Sequence, residues 1–323
     1  MKKRLFIFGN GFDIMHQNNG QLNTNYSNFR TWLISKCSNF VEDEEYDFDL
    51  PNYITNYKHL EDYDESEFAK FFIKLVDDAD NTICEADEWQ HFEDSLGLLN
   101  WDLVLNNVIK EYDEDGKLDN LKMQDNYTSL AMSAGESNHI LSEFFKKWIF
   151  EVNSDLSKIS KNHFFEDVHL SNDDFFLNFN YTSTLEDVYG ISNVCHIHGY
   201  AKNYDTLIVG HGKNSFERPD DDVSKDYAFE VFESIFTNYK KRPFENIKKH
   251  KVFFDNIEVV DEIYILGISF GEADLQYFNY IFKNTNAKSL FLFVYKDDEY
   301  EEKCKKIKEL GFAGKIINWK LLN

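Results

Sequence analysis

Hydrophobic residues fall along this chain in two alternating patterns. One is the short continuous run closed by Gly, Asn or Asp, which has the length and texture of a strand buried on both faces of a parallel sheet. Arg4–Phe8, Phe175–Phe179, Val194–His198, Leu207–Val209, Glu262–Leu266, Ser289–Tyr295 and Lys315–Trp319 show it. The other pattern repeats apolar residues at helical spacing. Phe68, Phe71, Phe72 and Leu75 follow the i, i+3, i+4, i+7 rule, as do Leu141, Phe144, Phe145 and Trp148; Trp89, Phe92, Leu96 and Leu99 come close. Strand patterns are nearly absent between Tyr26 and Ile159, where helical ones dominate. The alternation predicts an α/β fold: residues 1–25 and 165–323 form an open, doubly wound parallel sheet, and residues 26–164 a large, mostly helical insertion after the first strand. Two acidic stretches, Glu42–Asp49 and Glu111–Asp119, read as solvated surface within the insertion.

Composition narrows the function more than the fold. With 42% apolar residues in a chain of 323, a sizeable core is available. The net charge is −24, from 34 basic and 58 acidic residues. A field of that sign repels phosphate backbones and anionic lipid, so neither nucleic acid nor a membrane surface is expected as a partner. An anionic small molecule would need local backbone amides and a few cations to overcome the same field. Cys37, Cys84, Cys195 and Cys304 form no CxxC pair, which argues against a metal site and fits a reducing cytosol. The apolar run behind Lys2-Lys3-Arg4 is too short for a signal peptide, and no segment reaches membrane-spanning length, so a cytoplasmic location is expected.

The chemistry gathers where the strands end. The first strand runs into Gly9-Asn10-Gly11-Phe12-Asp13, the second into Asn180-Tyr181-Thr182, the third into His196-Ile197-His198-Gly199, and a later one into Gly267-Ile268-Ser269-Phe270-Gly271-Glu272, with a helix starting near Ala273. Strand alternation would put His196 and His198 on one face, opposite Cys195 and Ile197. Each turn has a plain structural reading. GNG lacks the third glycine of a dinucleotide fingerprint, and no second strand ending in an acid follows within roughly thirty residues. A lone histidine is commonly hydrogen-bonded framework, while Asp13, Ser269 and Asp274 suit helix starts. Four such turns at the carboxyl edge of one parallel sheet nevertheless point to a ligand there, because open α/β sheets bind at that edge near a topological switch point.

In this order the turns resemble the Rossmann-like, NAD-binding fold of the sirtuins. Gly9-Asn10-Gly11 stands in place of their GAG loop, Asn25-Tyr26-Ser27-Asn28-Phe29-Arg30 is similar to the segment ending Asp-Phe-Arg, Asn180 matches the Asn of Gln-Asn-Ile-Asp, His198-Gly199 the catalytic His-Gly, and Gly267-Ile268-Ser269 the Gly-Thr-Ser under the adenosine ribose. Over nearly its whole length the chain more closely resembles the bacterial abortive-infection AbiH family. That family shows GNGFD, Tyr-Ser-x-Phe, Trp-x-x-Phe-Glu (here Trp89 to Glu93), Asn-Tyr-Thr, HIHG, and a late Gly-x-Ser with Asp274 and Tyr277 downstream. The resemblance implies defence against phage by arrest of the infected cell. The sirtuin zinc ribbon is missing, Asn28 replaces an acid, and Tyr181-Thr182 replace Ile-Asp. The implied activity is therefore hydrolysis of NAD, as substrate and without metal, rather than deacylation.

On that basis Asn180 and His198 are the expected catalytic residues, His198 as the base. Gly9, Asn10, Gly11, Phe12 and Asp13 are expected at the dinucleotide, with the Gly9–Phe12 amides forming a pyrophosphate nest. Arg30 is the expected phosphate cation, and Gly267, Ser269 and Asp274 belong to the same binding site. His196 and His211 rank behind them as framework. A non-catalytic NAD or ADP-ribose sensor and a scaffold acting through the aromatic-rich insertion are the alternatives. A nuclease is disfavoured by the charge and by the lack of a carboxylate-rich metal motif. The insertion is the expected surface for a second copy or a regulatory protein.

Overall fold

The computed structural model of the protein describes residues 2–16, 22, 24–38, 40, 64–84, 89–106, 108–203 and 207–321; the Glu42–Asp49 stretch lies outside them. The chain divides into two compact units. Met1–Thr24, Lys146–Val209 and Lys241–Asn323 make one, and Asn25–Phe145 with Gly210–Lys240 the other.

The first unit is built on one sheet of six parallel strands: β1 (Arg4–Phe8), β2 (Phe175–Asn178), β3 (Val194–His196), β4 (Glu262–Leu266), β5 (Ser289–Phe293) and β6 (Lys315–Asn318). They are ordered β3-β2-β1-β4-β5-β6, so the order reverses between β1 and β4. Alternation explains the two faces. Leu5, Ile7, Leu177, Ile263 and Ile265 enter one core, against Tyr277, Phe278 and Ile281 of the helix α12 (Leu275–Asn284). Phe6, Phe8, Phe176 and Leu266 enter the other, with Phe12, Phe165 and Trp319. The aromatic richness has a cause here. Phe176, Phe6, Tyr264 and Phe291 stand opposite one another in register across four strands. Their rings stack at 5.4, 4.8 and 4.4 Å, each pair adding about 0.5–1.5 kcal/mol to area burial.

Several expected strands end earlier than the pattern suggested, and two differences bear on the strand ends. Leu207–Val209 joins no ladder: the Ile208 amide donates to the His198 carbonyl and the Ile208 carbonyl accepts from the Tyr181 hydroxyl, so the segment crosses the ends of β2 and β3. β3 stops at His196, and His198 lies in the following turn.

The second unit is helical. Its α3 (Glu65–Ile83) carries the predicted stripe, with Phe68, Phe71, Phe72 and Leu75 all buried, and Asp64 caps α3 by accepting from the Ser66 and Glu67 amides. The unit differs from the expected 26–164 in two ways. Its boundary falls inside the long helix α6 (Asn120–Ser154), after Phe145. It also takes in Gly210–Lys240 with α9 (Asp226–Tyr239), because Phe232 stacks on Trp101 at 4.4 Å and Gly97 packs against the His211 ring.

At the switch point the turns after β1 and β4 touch backbone to backbone. A Cβ on Gly267 would lie 2.4 Å from the Gly11 Cα, and Gly267 has φ +71°. Gly267→Ala therefore combines a left-handed alanine, about 1–2 kcal/mol, with overpacking, about 1–3 kcal/mol. It is expected to destabilise the protein by about 2–5 kcal/mol in urea unfolding, whereas Gly190→Ala, also at positive φ (+72°) but with nothing near its Cβ, should show only the smaller contribution. Equal losses at the two positions would refute the close contact.

Candidate functional site

Because all six strands are parallel, their carboxyl ends share one edge, and the four turns of the sequence meet there. The Phe179 amide donates to the Phe8 carbonyl, and the Gly9 and Gly11 amides to the carbonyls of Leu266 and Gly267. With the Phe12 amide bonded to the Gly9 carbonyl, three of the four amides expected to form a pyrophosphate nest are engaged inside the protein. The glycines serve close packing, and Phe12 is core, stacked on Phe8 at 4.3 Å. Asn10 accepts from the Thr24 hydroxyl at 2.5 Å. Ser269 is exposed in the turn after β4, where Phe270 holds φ +60°, a strained state for a bulky residue that costs about 1–3 kcal/mol.

Two polar clusters stand at this edge. On the β1–β2 side, Asp13 of α1 (Asn10–Ile14) is fully buried, and its two carboxylate oxygens accept from the hydroxyls of Thr182 (2.6 Å) and Thr184 (2.7 Å). Burial pushes the Asp13 carboxyl up to about 6, against the opposing pull of the two hydroxyls. The His196 Nε2 lies 2.7 Å from Glu186 Oε1 and its ring is stacked on Tyr200. Its Nδ1 faces the Asn180 carbonyl at 3.4 Å.

The second cluster surrounds His198. Leaving the strand turns this side chain toward the core that holds Tyr277, rather than alongside His196. The rings of Phe179 and Tyr277 stand 5.3 and 5.9 Å away. The His198 Nδ1 is 3.5 Å from Lys241 Nζ and its Nε2 is 3.2 Å from Asp274 Oδ1, while Lys241 Nζ donates to the same Oδ1 at 3.4 Å. Burial alone would raise the Asp274 carboxyl, but the Lys241 ammonium and the contact with His198 outweigh it and hold the group down at about 2. Behind it, Asn246 donates to the Tyr277 hydroxyl at 3.0 Å.

Four buried polar atoms here make no hydrogen bond: Asn178 Nδ2, Asn180 Nδ2, Glu186 Oε2 and His198 Nε2. The Asp274 contact to Nε2 is close but lacks hydrogen-bond alignment. Unsatisfied buried groups are costly, about 1–3 kcal/mol each, and need an explanation such as a bound molecule. That they gather at the ends of β2 and β3 gives these turns their chemical meaning.

Arg30 belongs to the helical unit, where its Nε and Nη2 each bond Asp77 at 2.9 Å. Asp77 also accepts from the Trp89 indole at 2.5 Å, and Asp80 from the Trp89 amide at 2.9 Å and the Ser95 hydroxyl at 2.8 Å. The Trp-x-x-Phe-Glu segment is thus tied into the fold of that unit. His211, buried there, bonds the Phe236 carbonyl and the Lys213 amide, and burial lowers it to about 4. Lys241, Thr184, Glu186 and Asn178 were not singled out in the sequence. Asn178 carried a signal, since Asn is depleted in buried strands; Lys241 carried none.

The fold and the edge define an all-parallel, open α/β protein with Gly-rich and polar turns at the carboxyl ends of its strands. Residues 5–296 match the family described as bacteriophage abortive infection AbiH, and the chain belongs to that family. No curated protein and no solved structure matches it. Among the described residues no helix is long and apolar enough to cross a membrane, and no group of three or more His, Cys, Asp or Glu is placed to hold a metal ion.

Asp13 has a measurable consequence. Its folded value lies above the ordinary 3.8, so its stabilising contribution is complete below about pH 4 and is lost as pH rises through about 6. A shift of about two units is worth about 3 kcal/mol. Relative to wild type, Asp13→Asn is expected to gain about 2–3 kcal/mol between pH 4 and 7.5 in urea unfolding; a difference that stays constant with pH would refute the raised value.

Proposed function

We propose that this AbiH-family protein acts in abortive infection by binding NAD at the carboxyl edge of its sheet and hydrolysing the nicotinamide–ribose bond, giving nicotinamide and ADP-ribose. The observation that carries this reading is the pair of buried, unsatisfied side-chain nitrogens Asn180 Nδ2 and His198 Nε2 on adjacent strand ends. Supporting it are the strand order, shared with doubly wound dinucleotide-binding sheets whose ligands sit at the switch point, and the resemblance of the four turns to the sirtuin type.

The reaction asks little of an acid. Nicotinamide is cationic in NAD and leaves neutral, through an oxocarbenium-like transition state as in glycoside hydrolysis. The protein must orient the ribose, exclude bulk water and admit one water molecule. Asn180, with an amide that both donates and accepts, orients the ribose or the water. His198 meets the same atoms through Nε2. Gly9–Asp13 and Gly267 shape the floor, and the exposed Ser269 takes the adenosine ribose. Arg30, held by Asp77, acts through the helical unit's fold and not on phosphate.

Asn180→Ala and His198→Ala are each expected to lower nicotinamide release from NAD by ~10²–10⁴-fold with unfolding midpoints close to wild type. Turnover equal to wild type in both would remove the catalytic assignment. NAD binding by calorimetry with no turnover in any of the three proteins would favour the sensor instead.

A further inference from the structure

The Lys241–His198–Asp274 cluster assigns a role that the sequence did not give. We infer that Asp274 is the catalytic carboxylate of the site, the anion that faces the positive charge developing at the ribose carbon, and that Lys241 and His198 are the groups that position it. The inference rests on the NAD reading above and deepens it.

Exposure separates the three side chains. His198 is 3% exposed and Lys241 1%, whereas Asp274 is 19% exposed, so the carboxylate is the most open of the three to a ligand. Its innocent explanation fails: Asp274 precedes α12 but its side chain makes no capping hydrogen bond. The turn that delivers it is strained at Phe270, a bulky residue at φ +60°, as expected where backbone strain is retained for a function. The partner charges suit the task. Among the described residues, Lys241 and His198 are the charged or titratable groups in contact with the carboxylate, and both favour its ionised form. The rings of Phe179, Tyr181 and Tyr277 also stand around His198.

The geometry also revises the part of His198. An ammonium only donates, so beside Lys241 Nζ the Nδ1 of His198 is the accepting nitrogen and Nε2 the one that carries a proton. His198 then offers a hydrogen bond rather than a lone pair, and the base expected of it passes to Asp274. In the step, the C1′–N1 bond breaks with its electron pair going to nicotinamide, which leaves neutral. Water forms the new C1′–O bond, and its proton passes to the Asp274 carboxylate and on to solvent. A weak base suffices because the attacked carbon is already cation-like.

The test uses the full-length protein, NAD, and kcat and KM from nicotinamide release. Asp274→Asn is expected to lower kcat by at least ~10²-fold with KM changed less than about threefold. Removing one partner of a buried pair leaves a lone charge, so Lys241→Met/Asp274→Asn is made as well; it is expected to fold and to be as inactive. In wild type kcat should stay level from pH 8 down to pH 5, whereas a base with an ordinary imidazole value near 6.5 would give a tenfold fall per unit below it. In Lys241→Met the acid limb should move to higher pH. If wild type and Asp274→Asn turn over alike while Asn180→Ala is inactive, or if kcat falls below pH 6.5, the role of Asp274 is overturned and the NAD reading stands. If wild type releases no nicotinamide, the NAD reading falls and this role falls with it.

Discussion

The contact of Gly11 with Gly267 sets the geometry of everything at the working edge of the sheet. Two turns meet there without side chains between them, one after the central strand β1 and one after its neighbour β4. The hydrogen bonds from the Gly9 and Gly11 amides to the carbonyls of Leu266 and Gly267 tie the two turns together. From this junction one turn leads directly to Asp13 and the other to Ser269, Phe270 and Asp274. A parallel sheet guarantees that strand ends share an edge; the paired glycines bring those of β1 and β4 within atomic contact.

Around the junction, polar groups are buried on both faces, and the two groupings solve the same problem differently. Asp13 receives two hydroxyl donors, which is enough to keep the carboxylate in the fold but not enough to offset its lost hydration, so its proton is held more tightly than in water. Asp274 receives an ammonium and an imidazole and goes the other way. Two carboxyls with values driven apart in one region are a recurrent arrangement in enzymes that handle protons or stabilise charge. The donors left without partners, on Asn178, Asn180 and His198, lie along the same edge.

The helical unit has its own polar framework. Arg30, Asp77 and Trp89 form a chain of hydrogen bonds, and Asp80 joins the Trp89 backbone to Ser95. Trp89 itself stacks on Phe92 at 5.1 Å and has φ +58°, so the Trp-x-x-Phe-Glu residues take part in the packing of this unit. A cation and a carboxylate fixed bidentately 2.9 Å apart leave Arg30 a structural role that its position near Tyr26-Ser27 did not reveal.

Hydrophobic patterning by itself located all six strands of the sheet, because runs such as Leu5–Phe8 and Ile263–Leu266 are buried on both faces, though it also suggested one at Leu207–Val209 that joins no ladder. It also determined the helical stripe of α3, and it placed polar residues at the strand ends. Motif spacing marked GNG, NYT, HIHG and GIS as one group, since all follow strands. Tertiary structure alone decided the rest. The end of β3 at His196 sends His198 to a different cluster from His196, a choice that alternation does not encode once the strand has stopped. Lys241 stands in the run Lys240-Lys241-Arg242 after α9, and only the tertiary fold buries it beside His198 and Asp274. Charges far apart in sequence acquire their meaning when burial removes water from between them, and burial is a property of the assembled fold.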